Sequence, residues 1–226
     1  MSMKDLKIKL VIFDLDGTLL DTIADLGNAV NHTLQAYGLP MHEITAYRMM
    51  VGRGMRNLVK AALPEDRRED AFVDPFLKEF LDYYMKHVDD ATLPYPGIPE
   101  LVSKLHKDGY KIAVASNKLQ AGTEALIRKF FPGIPFAAVC GNKAGCPLKP
   151  DAALVNKIME EAGAQRDNTV MVGDSEIDIQ TARNAGIRAI AVSWGFRPEE
   201  CLKEADRLAR SAEDVLDMLE SGMKIE

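Results

Sequence analysis

The sequence predicts an α/β protein: a parallel core sheet with helices on both faces, and a small all-helical domain inserted near the N-terminus. Three observations support this prediction. Residues 8–13 are almost wholly apolar and are followed at once by two aspartates, which is typical of a strand buried on both faces of a parallel sheet. After residue 97, apolar runs alternate with helical patterns, as in sheets built from strand-helix-strand units. Between these two regions the sequence contains helical patterns and no strand pattern.

The segment after the first strand predicts about four helices. In the first, apolar residues recur at helical spacing over residues 23–37, Asp21 or Thr22 can cap the start, and Gly38 marks the end. The proline- and glycine-containing segment at 93–97 breaks the pattern and predicts a linker back to the sheet. Three more helices are predicted in between, at residues 42–50, 55–63 and 66–88.

We therefore expect two domains. Residues 1–19 and 94–226 are predicted to form the α/β domain, and residues 20–93 the helical domain. Beyond the linker, a helix begins near Ile98, and the last helix is predicted to run from Ser211, with Asp214 as its capping partner, to Gly222. Further strands are predicted at residues 110–115, 136–140, 169–172 and 187–192, with helices at 120–130, around 154–159 and ending at 185.

Two carboxylates lie at the end of the first strand. Asp14 and Asp16 are separated by one leucine and are followed by Gly17-Thr18, where the strand must give way to a turn. Parallel sheets bind their ligands at the C-terminal ends of their strands. Unpaired charge is costly at the end of a buried strand, and a divalent cation would offset that cost. The acid pair therefore indicates a metal site.

Three more polar groups follow later strands. Ser116 and Asn117 follow the second predicted core strand, Lys149 precedes a helix, and Asp174 and Asp178 straddle a strand end and the first turn of a helix. Each group has an ordinary explanation, because Ser-Asn pairs cap helices, most lysines are solvated, and acids are enriched at helix N-termini. Four polar groups in order at four strand ends favour the hypothesis that they meet in one site. Carboxylate oxygens are the ligands that Mg²⁺ prefers.

The composition points to a globular protein without a nucleic-acid or membrane partner. Of the 226 residues 47% are hydrophobic, and the formal net charge is -6, so no basic excess would attract nucleic acid or an anionic membrane. No window approaches the ~20 apolar residues of a membrane helix, and residues 1–9 lack the apolar core of a signal peptide. The three cysteines lack the spacing of a zinc site or a disulfide framework. We expect a cytoplasmic protein whose histidines and cysteines take no part in the chemistry.

The string Asp-Leu-Asp-Gly-Thr-Leu at residues 14–19 resembles the first motif of the haloacid dehalogenase superfamily, most of whose members are phosphohydrolases. Ser116, Lys149 and the Gly-Asp-Ser-x-x-Asp string at residues 173–178 resemble its other three motifs. The resemblance implies a Rossmann-like core and a helical cap domain inserted after the first motif. Within the superfamily the pattern is similar to phosphoglycolate phosphatases, although residues 204–206 are Glu-Ala-Asp where that group often has Gly-Ala-Asp.

The resemblance also implies roles for the core residues. Asp14 would attack phosphorus and form an aspartyl phosphate, and Asp16 would protonate the leaving oxygen and then activate water. Ser116, Asn117 and Lys149 would stabilise the phosphate oxygens. The substrate would be a small phosphorylated metabolite. The oligomeric state stays open.

Mg²⁺ is the expected cofactor. In the predicted cap, glycines flank Arg53 within the segment 51–56, a pattern that lets the backbone approach a ligand and exposes a planar cation. We expect Arg53, or failing that Arg56, to contribute to substrate choice; a solvated turn arginine is the alternative. The expected metal ligands are Asp14, Asp16 through its backbone carbonyl, Asp174 and Asp178.

Other functions on the same scaffold stay open. A sugar-phosphate mutase similar to β-phosphoglucomutase, or a pyrophosphatase, would use the same acids. A phospho-accepting signalling module also has an aspartate at a parallel strand end, but it would have no use for Asp16 as an acid and base or for a helical cap.

Overall fold

The core of the protein is a six-stranded parallel sheet, seen in a computed structural model that describes residues 8–221. The strand order is β5-β4-β1-β6-β7-β8, and every neighbouring pair is parallel. The predicted α/β class with a parallel sheet is confirmed. The strands are β1 (Leu10–Phe13), β4 (Lys111–Leu119), β5 (Ala138–Asn142), β6 (Thr169–Gly173), β7 (Arg188–Val192) and β8 (Arg207–Ala209), and two shorter strands, β2 (Leu20–Asp21) and β3 (Leu93–Pro94), form a separate ribbon.

Strand β1 lies at the centre of the sheet because all four of its residues are apolar. Val11 and Phe13 belong to the core cluster on one face of the sheet, and Leu10 and Ile12 belong to the cluster on the other face. Alternate side chains of a strand point to opposite faces, so both faces are covered. The covering helices of this domain are α4 (Ile98–Lys107), α5 (Gln120–Phe130), α6 (Ala153–Ala162), α7 (Glu176–Ala185) and α8 (Ala212–Glu220).

The chain between β1 and β4 carries the predicted helices, and we call residues 20–93 the helical insert. Its α-helices are α1 (Ile23–Ala36), α2 (Met55–Ala62) and α3 (Asp70–Tyr84). The helix predicted at 42–50 is a 3-10 helix, Ile44–Met49, and the first residues of the helix predicted at 66–88 form a separate 3-10 turn, Glu65–Arg67. The extended backbone of Glu69 (φ -69, ψ 146) separates that turn from α3.

The predicted linker pairs with the segment that leaves the core. Leu93 and Pro94 in β3 run antiparallel to Asp21 and Leu20 in β2. The buried carboxylate of Asp25 accepts hydrogen bonds from the Ala91 and Thr92 backbone N–H groups. The two crossings between the insert and the core therefore lie side by side, which the linker composition alone did not indicate.

The remaining differences from the predicted elements lie at their ends. Strand β4 continues to Leu119 through a register shift against β5 after Ala115. Ser116 and Asn117 therefore lie in the irregular C-terminal part of this strand. The three-residue strand β8 was not predicted, since so short a strand carries no periodicity. Ser211 caps α8 as expected, with its hydroxyl accepting from the Asp214 N–H at 3.1 Å. The predicted end at Gly222 and residues 1–7 lie outside the described residues.

Within residues 8–221, no helix has both the length and the apolar character needed to cross a membrane.

Candidate active site

The ends of three neighbouring strands bring the predicted polar residues together. β4, β1 and β6 are adjacent in the sheet, and Ser116, Asp14 and Asp174 lie at their C-terminal ends. Asp14 is held in place by its backbone N–H, which donates to the Val172 carbonyl at 2.9 Å, and its Oδ1 accepts from the Leu15 N–H at 2.7 Å. The convergence expected for a parallel sheet places these groups around one cavity.

Three buried carboxylates form the acidic centre of this site. Asp14, Asp174 and Asp178 each offer one oxygen, and these oxygens all lie within 4.8 Å of one another. Asp178 also caps α7, because its Oδ2 accepts from the Ser175 N–H at 3.1 Å and from the Ser175 hydroxyl at 2.6 Å. Asp178 therefore both caps the helix and belongs to the acidic centre.

Lys149 is the cation that pairs with the acidic centre. Its ammonium lies 2.9 Å from Asp14 Oδ1 and 2.7 Å from Asp178 Oδ1. Burial opposes the charged ammonium, but the two carboxylates outweigh burial and raise the pKa of Lys149 above its usual value. The lysine therefore stays charged. Its backbone N–H donates to Asn117 Oδ1 at 2.8 Å, which ties the lysine loop to the end of β4.

The three carboxylates outnumber the Lys149 ammonium that pairs with them, and burial together with their mutual repulsion raises the pKa values of Asp14 and Asp174. Burial raises the pKa of Asp14 well above its usual range, with Asp178 and Asp174 adding to the effect and Lys149 opposing it. Burial and the neighbouring Asp178 raise the pKa of Asp174 to about 7. A group of carboxylate oxygens with too little positive charge is the donor set that a hard divalent cation prefers. The site thus contains an acidic group able to hold a metal ion.

Glycines allow the backbone to close around Asp174. A Cβ at Gly17, where φ is +88, would lie 2.4 Å from Asp174 Oδ2, and a Cβ at Gly195 would lie 2.2 Å from Asp174 Cβ. No side chain fits at either position without displacing the carboxylate. The Asp174 oxygens instead accept from the Thr18 hydroxyl at 3.2 Å and the Phe196 N–H at 2.7 Å. The close approach of Gly195, 178 residues from Gly17 in the chain, was not predictable from local sequence.

Asp16 lies beside the acidic centre rather than within it. Its Oδ1 accepts from the Thr22 hydroxyl at 2.8 Å and from Lys118 Nζ at 3.0 Å. Thr22 therefore bonds to Asp16 instead of capping α1, and Asp21 Oδ1 accepts from the Ile23 N–H. Asp16 and Lys118 both line the cavity that contains Asp14.

Ser116 and Asn117 occupy the wall between the acids and the insert. Both line the cavity. The Asn117 amide donates to the Gly52 carbonyl at 2.8 Å and to the Lys149 carbonyl at 3.0 Å. Its side chain therefore links the insert, the end of β4 and the lysine loop. The Ser116 hydroxyl accepts from the Lys118 N–H at 3.2 Å.

Two cations in the site were not predicted. The Lys118 side chain is 0% exposed. The Arg197 guanidinium, also buried, donates to the Val51 carbonyl at 2.7 Å, to the Arg48 carbonyl and to Glu176 Oε2 at 3.1 Å. The only sequence signal was position: Lys118 directly follows Ser-Asn, and Arg197 follows Trp-Gly-Phe.

The two arginines expected to read the substrate lie outside the cavity lining. The Arg53 side chain is 67% exposed and lies 3.4 Å from Glu176. Arg56 pairs with Asp70 at 2.7 Å and with Asp74 on the surface of the insert. Their role in substrate choice stays a prediction. The insert side chains that do line the cavity are apolar: Leu26, Val51, Met55 and Leu58.

Comparison with known proteins gives one consistent result. Residues 11–192 match the family model described as haloacid dehalogenase-like hydrolase. A phosphoglycolate phosphatase of Mesorhizobium japonicum is 37% identical over 189 residues, which is 83% of each chain. One of Agrobacterium fabrum is 38% identical over 83% of this chain and 81% of its own. A crystal structure from Lactobacillus delbrueckii subsp. bulgaricus, provisionally assigned as a phosphoglycolate phosphatase, has a TM-score of 0.88 at 34% identity and covers 94% of this chain and 98% of its own.

Proposed function

Because the chain belongs to the haloacid dehalogenase-like hydrolase family, we propose that it is a Mg²⁺-dependent phosphatase that hydrolyses a phosphate monoester of a small metabolite through an aspartyl-phosphate intermediate. The relatives named phosphoglycolate phosphatase support a small carboxylated ester, phosphoglycolate or one like it, as the substrate. One observation carries the proposal: Asp14 lies at the end of a buried strand, 2.9 Å from the Lys149 ammonium and among two further carboxylates.

The acidic centre suits a magnesium ion. Asp14, Asp174 and the backbone carbonyl of Asp16 would hold the ion, with Asp178 at its edge. When bound, the ion would neutralise negative charge on the phosphoryl oxygens and on the carboxylates around them. The raised pKa values of Asp14 and Asp174 support this assignment, since a cation would offset the burial and the mutual repulsion that now favour their protonated forms.

The first chemical step breaks the ester bond. An Asp14 carboxylate oxygen forms a bond to phosphorus while the bond from phosphorus to the ester oxygen breaks, and Asp16 gives its proton to that leaving oxygen. Lys149 holds Asp14 in place and, together with Ser116 and the backbone N–H groups beside it, stabilises the transferring oxygens. The products are an alcohol, phospho-Asp14 and the Asp16 carboxylate.

The second step returns the enzyme to its starting state. Asp16, now a carboxylate, takes a proton from a water molecule as the water oxygen attacks phosphorus. The bond between phosphorus and Asp14 breaks, which releases inorganic phosphate. Asp14 is again a carboxylate and Asp16 is again protonated. The two steps replace one difficult displacement by two easier ones.

The helical insert would act as the cap, with residues 1–19 and 94–226 as the catalytic core. Its loop at 48–53 lies against the core through the hydrogen bonds of Asn117 to Gly52 and of Arg197 to Val51. These bonds hold the apolar insert residues over the acids. Exclusion of water in that state would strengthen the electrostatic interactions at phosphorus and protect the intermediate.

The test is phosphate release from a panel of esters that includes phosphoglycolate, a hexose phosphate and pyrophosphate. We expect release to require Mg²⁺, to stop on chelation and to return when Mg²⁺ is restored. The Asp14→Asn variant, nearly isosteric, serves as the matched control and should fall to background. Full activity after exhaustive chelation would contradict the metal assignment. Isomerisation of the hexose phosphate with a bisphosphate primer, without phosphate release, would show a mutase instead.

A further inference from the structure

Lys118 is a buried cation that the chemistry above does not use. Its side chain is 0% exposed, although a lysine is almost never fully buried unless it is paired. The ammonium donates to Asp16 Oδ1 at 3.0 Å and to the Tyr84 hydroxyl. Asp16 comes from the turn after β1 and Tyr84 is the last residue of α3 in the insert, so one ammonium joins the insert to the proposed acid.

The two oxygens of Asp16 are not equivalent. Oδ1 accepts both described hydrogen bonds, from Thr22 at 2.8 Å and from Lys118 at 3.0 Å. Within residues 8–221 no hydrogen bond is described to Oδ2, and Asp16 lines the cavity. The two donors therefore fix the carboxyl plane through one oxygen and leave the other for the cavity.

We propose that Lys118 is a positioning residue for Asp16: by holding Oδ1, it aims Oδ2 at the leaving oxygen of the substrate. The inference rests on the proposed phosphatase function. Tyr84 extends this arrangement, because its hydroxyl accepts from the same ammonium and its ring lies with its centroid 4.9 Å from Nζ. The insert thereby helps to fix the lysine, and through it the acid. Proton transfer requires hydrogen-bond reach and alignment, so losing this anchor should slow the step in which Asp16 gives up its proton.

A purely structural role would have a different signature. Lys118 could simply neutralise a buried carboxylate, in which case its loss would lower every activity equally. A positioning role affects the first step only for substrates whose leaving oxygen needs a proton. The alkoxide leaving group of an alkyl phosphate needs that proton. The leaving group of an activated aryl phosphate such as 2,4-dinitrophenyl phosphate is a stable phenolate, which departs without one. The ratio kcat/KM reports on steps up to the first irreversible one, which here is the transfer of phosphorus to Asp14.

The experiment compares kcat/KM for an alkyl phosphate and for 2,4-dinitrophenyl phosphate in the full-length protein with Mg²⁺. For Lys118→Met we expect a loss of about tenfold or more on the alkyl ester, within the range by which general acids contribute, and a loss of less than about threefold on the aryl ester. Asp16→Asn should show the same pattern more strongly. In an Asp16→Asn background, adding Lys118→Met should cause no further loss on the alkyl ester, because a residue that acts through Asp16 has nothing left to position.

Controls separate this inference from the function on which it rests. Lys104→Met removes an exposed lysine on α4 (48% side-chain exposure) and should leave both rates unchanged. Equal losses on the two esters, or additive losses in the double variant, would overturn the positioning role while Asp16→Asn still shows its ester preference. A wild-type protein that hydrolyses neither ester would overturn the proposed function and this inference with it.

A second variant keeps the test valid if Lys118→Met does not fold. Tyr84→Phe removes only the hydroxyl that accepts from Lys118 and retains the ring that packs in the insert core. We expect a smaller loss, about two- to fivefold, that is confined to the alkyl ester, since the lysine keeps its bond to Asp16 but loses one anchor. An equal effect on both esters, or none on either, would overturn the coupling of Tyr84 to the acid.

Discussion

Replacing Lys149 by methionine should destabilise the metal-free protein strongly, and more so at high pH. The ammonium lies 2.9 Å from Asp14 and 2.7 Å from Asp178. At an effective dielectric constant of about 20, each contact amounts to about 6 kcal/mol of Coulomb attraction, and desolvation of the buried charges offsets much of it. Breaking a buried pair typically costs about 3–5 kcal/mol. We expect a loss in that range at about pH 8.

The pH dependence of this loss follows from Asp14. Burial raises its pKa and Lys149 opposes the rise, so the native variant takes up a proton at a higher pH than the native wild type. The unfolded chains do not differ in this respect. In the pH range where Asp14 is protonated in the native variant but not in the native wild type, the free energy of unfolding of the variant rises relative to that of the wild type as the pH falls. The rise is at most about 1.4 kcal/mol per pH unit. The destabilisation should therefore be smaller at about pH 5, which is closer to the ordinary aspartate value of about 4, than at about pH 8.

Urea denaturation with chelator at both pH values measures this loss. The matched control is Lys157→Met, whose partner Glu161 lies 3.6 Å away with both side chains about half exposed, and whose loss should stay below about 1 kcal/mol. A Lys149→Met loss no larger than that of Lys157→Met, or a loss that grows as the pH falls, would refute the electrostatic account of the site.

Three further predictions concern the acids, the glycines and the insert. Burial raises the pKa of Asp174 to about 7, so the native metal-free protein holds a proton there that the unfolded chain has released. The wild type should thus lose stability relative to Asp174→Asn as the pH rises from about 4 to about 7. Urea denaturation of both proteins in the presence of chelator measures this, and a difference in unfolding free energy that does not change with pH would contradict it. Gly195→Ala places a Cβ 2.2 Å from Asp174 and should cost about 1–3 kcal/mol or more by overpacking, whereas Gly122→Ala, whose Cβ would meet nothing closer than 3.5 Å, should be nearly neutral in thermal melts. Arg53→Ala should lower kcat/KM on carboxylated esters and spare a neutral ester; no loss on either would make Arg53 a surface residue only.

The sequence predicted the strand ends of the site because each motif is local. The apolar run before Asp14 and the run before Asp174 predict buried strands on their own, and a parallel sheet brings such ends to one edge. The helices were predicted for the same reason, although the one predicted at 42–50 is the 3-10 helix Ile44–Met49 and the first residues of the one predicted at 66–88 form a separate 3-10 turn. What local patterns report is therefore the scaffold and the residues that directly end its strands.

Lys118 and Arg197 escaped prediction because their partners are distant in the chain. Arg197 bonds to a carbonyl 146 residues away, and Lys118 to Asp16, 102 residues away. Long cations are expected on the surface, and no periodicity distinguishes the buried ones. The packing of the insert against the core decides their burial, and that packing emerges only in the folded structure.

Phospho-Asp14 is the central intermediate of the proposed reaction, and chemical trapping tests for it directly. In the Asp16→Asn variant, Asp14 should accept the phosphoryl group of 2,4-dinitrophenyl phosphate, because the phenolate leaving group needs no proton. The variant should then hydrolyse the intermediate slowly because the base for the second step is missing. Acid quench, borohydride reduction and peptide mass spectrometry should find homoserine at position 14, and only in samples that contained both ester and Mg²⁺. Modification at another carboxylate, or phosphate release by wild type with position 14 unmodified throughout, would contradict the covalent mechanism.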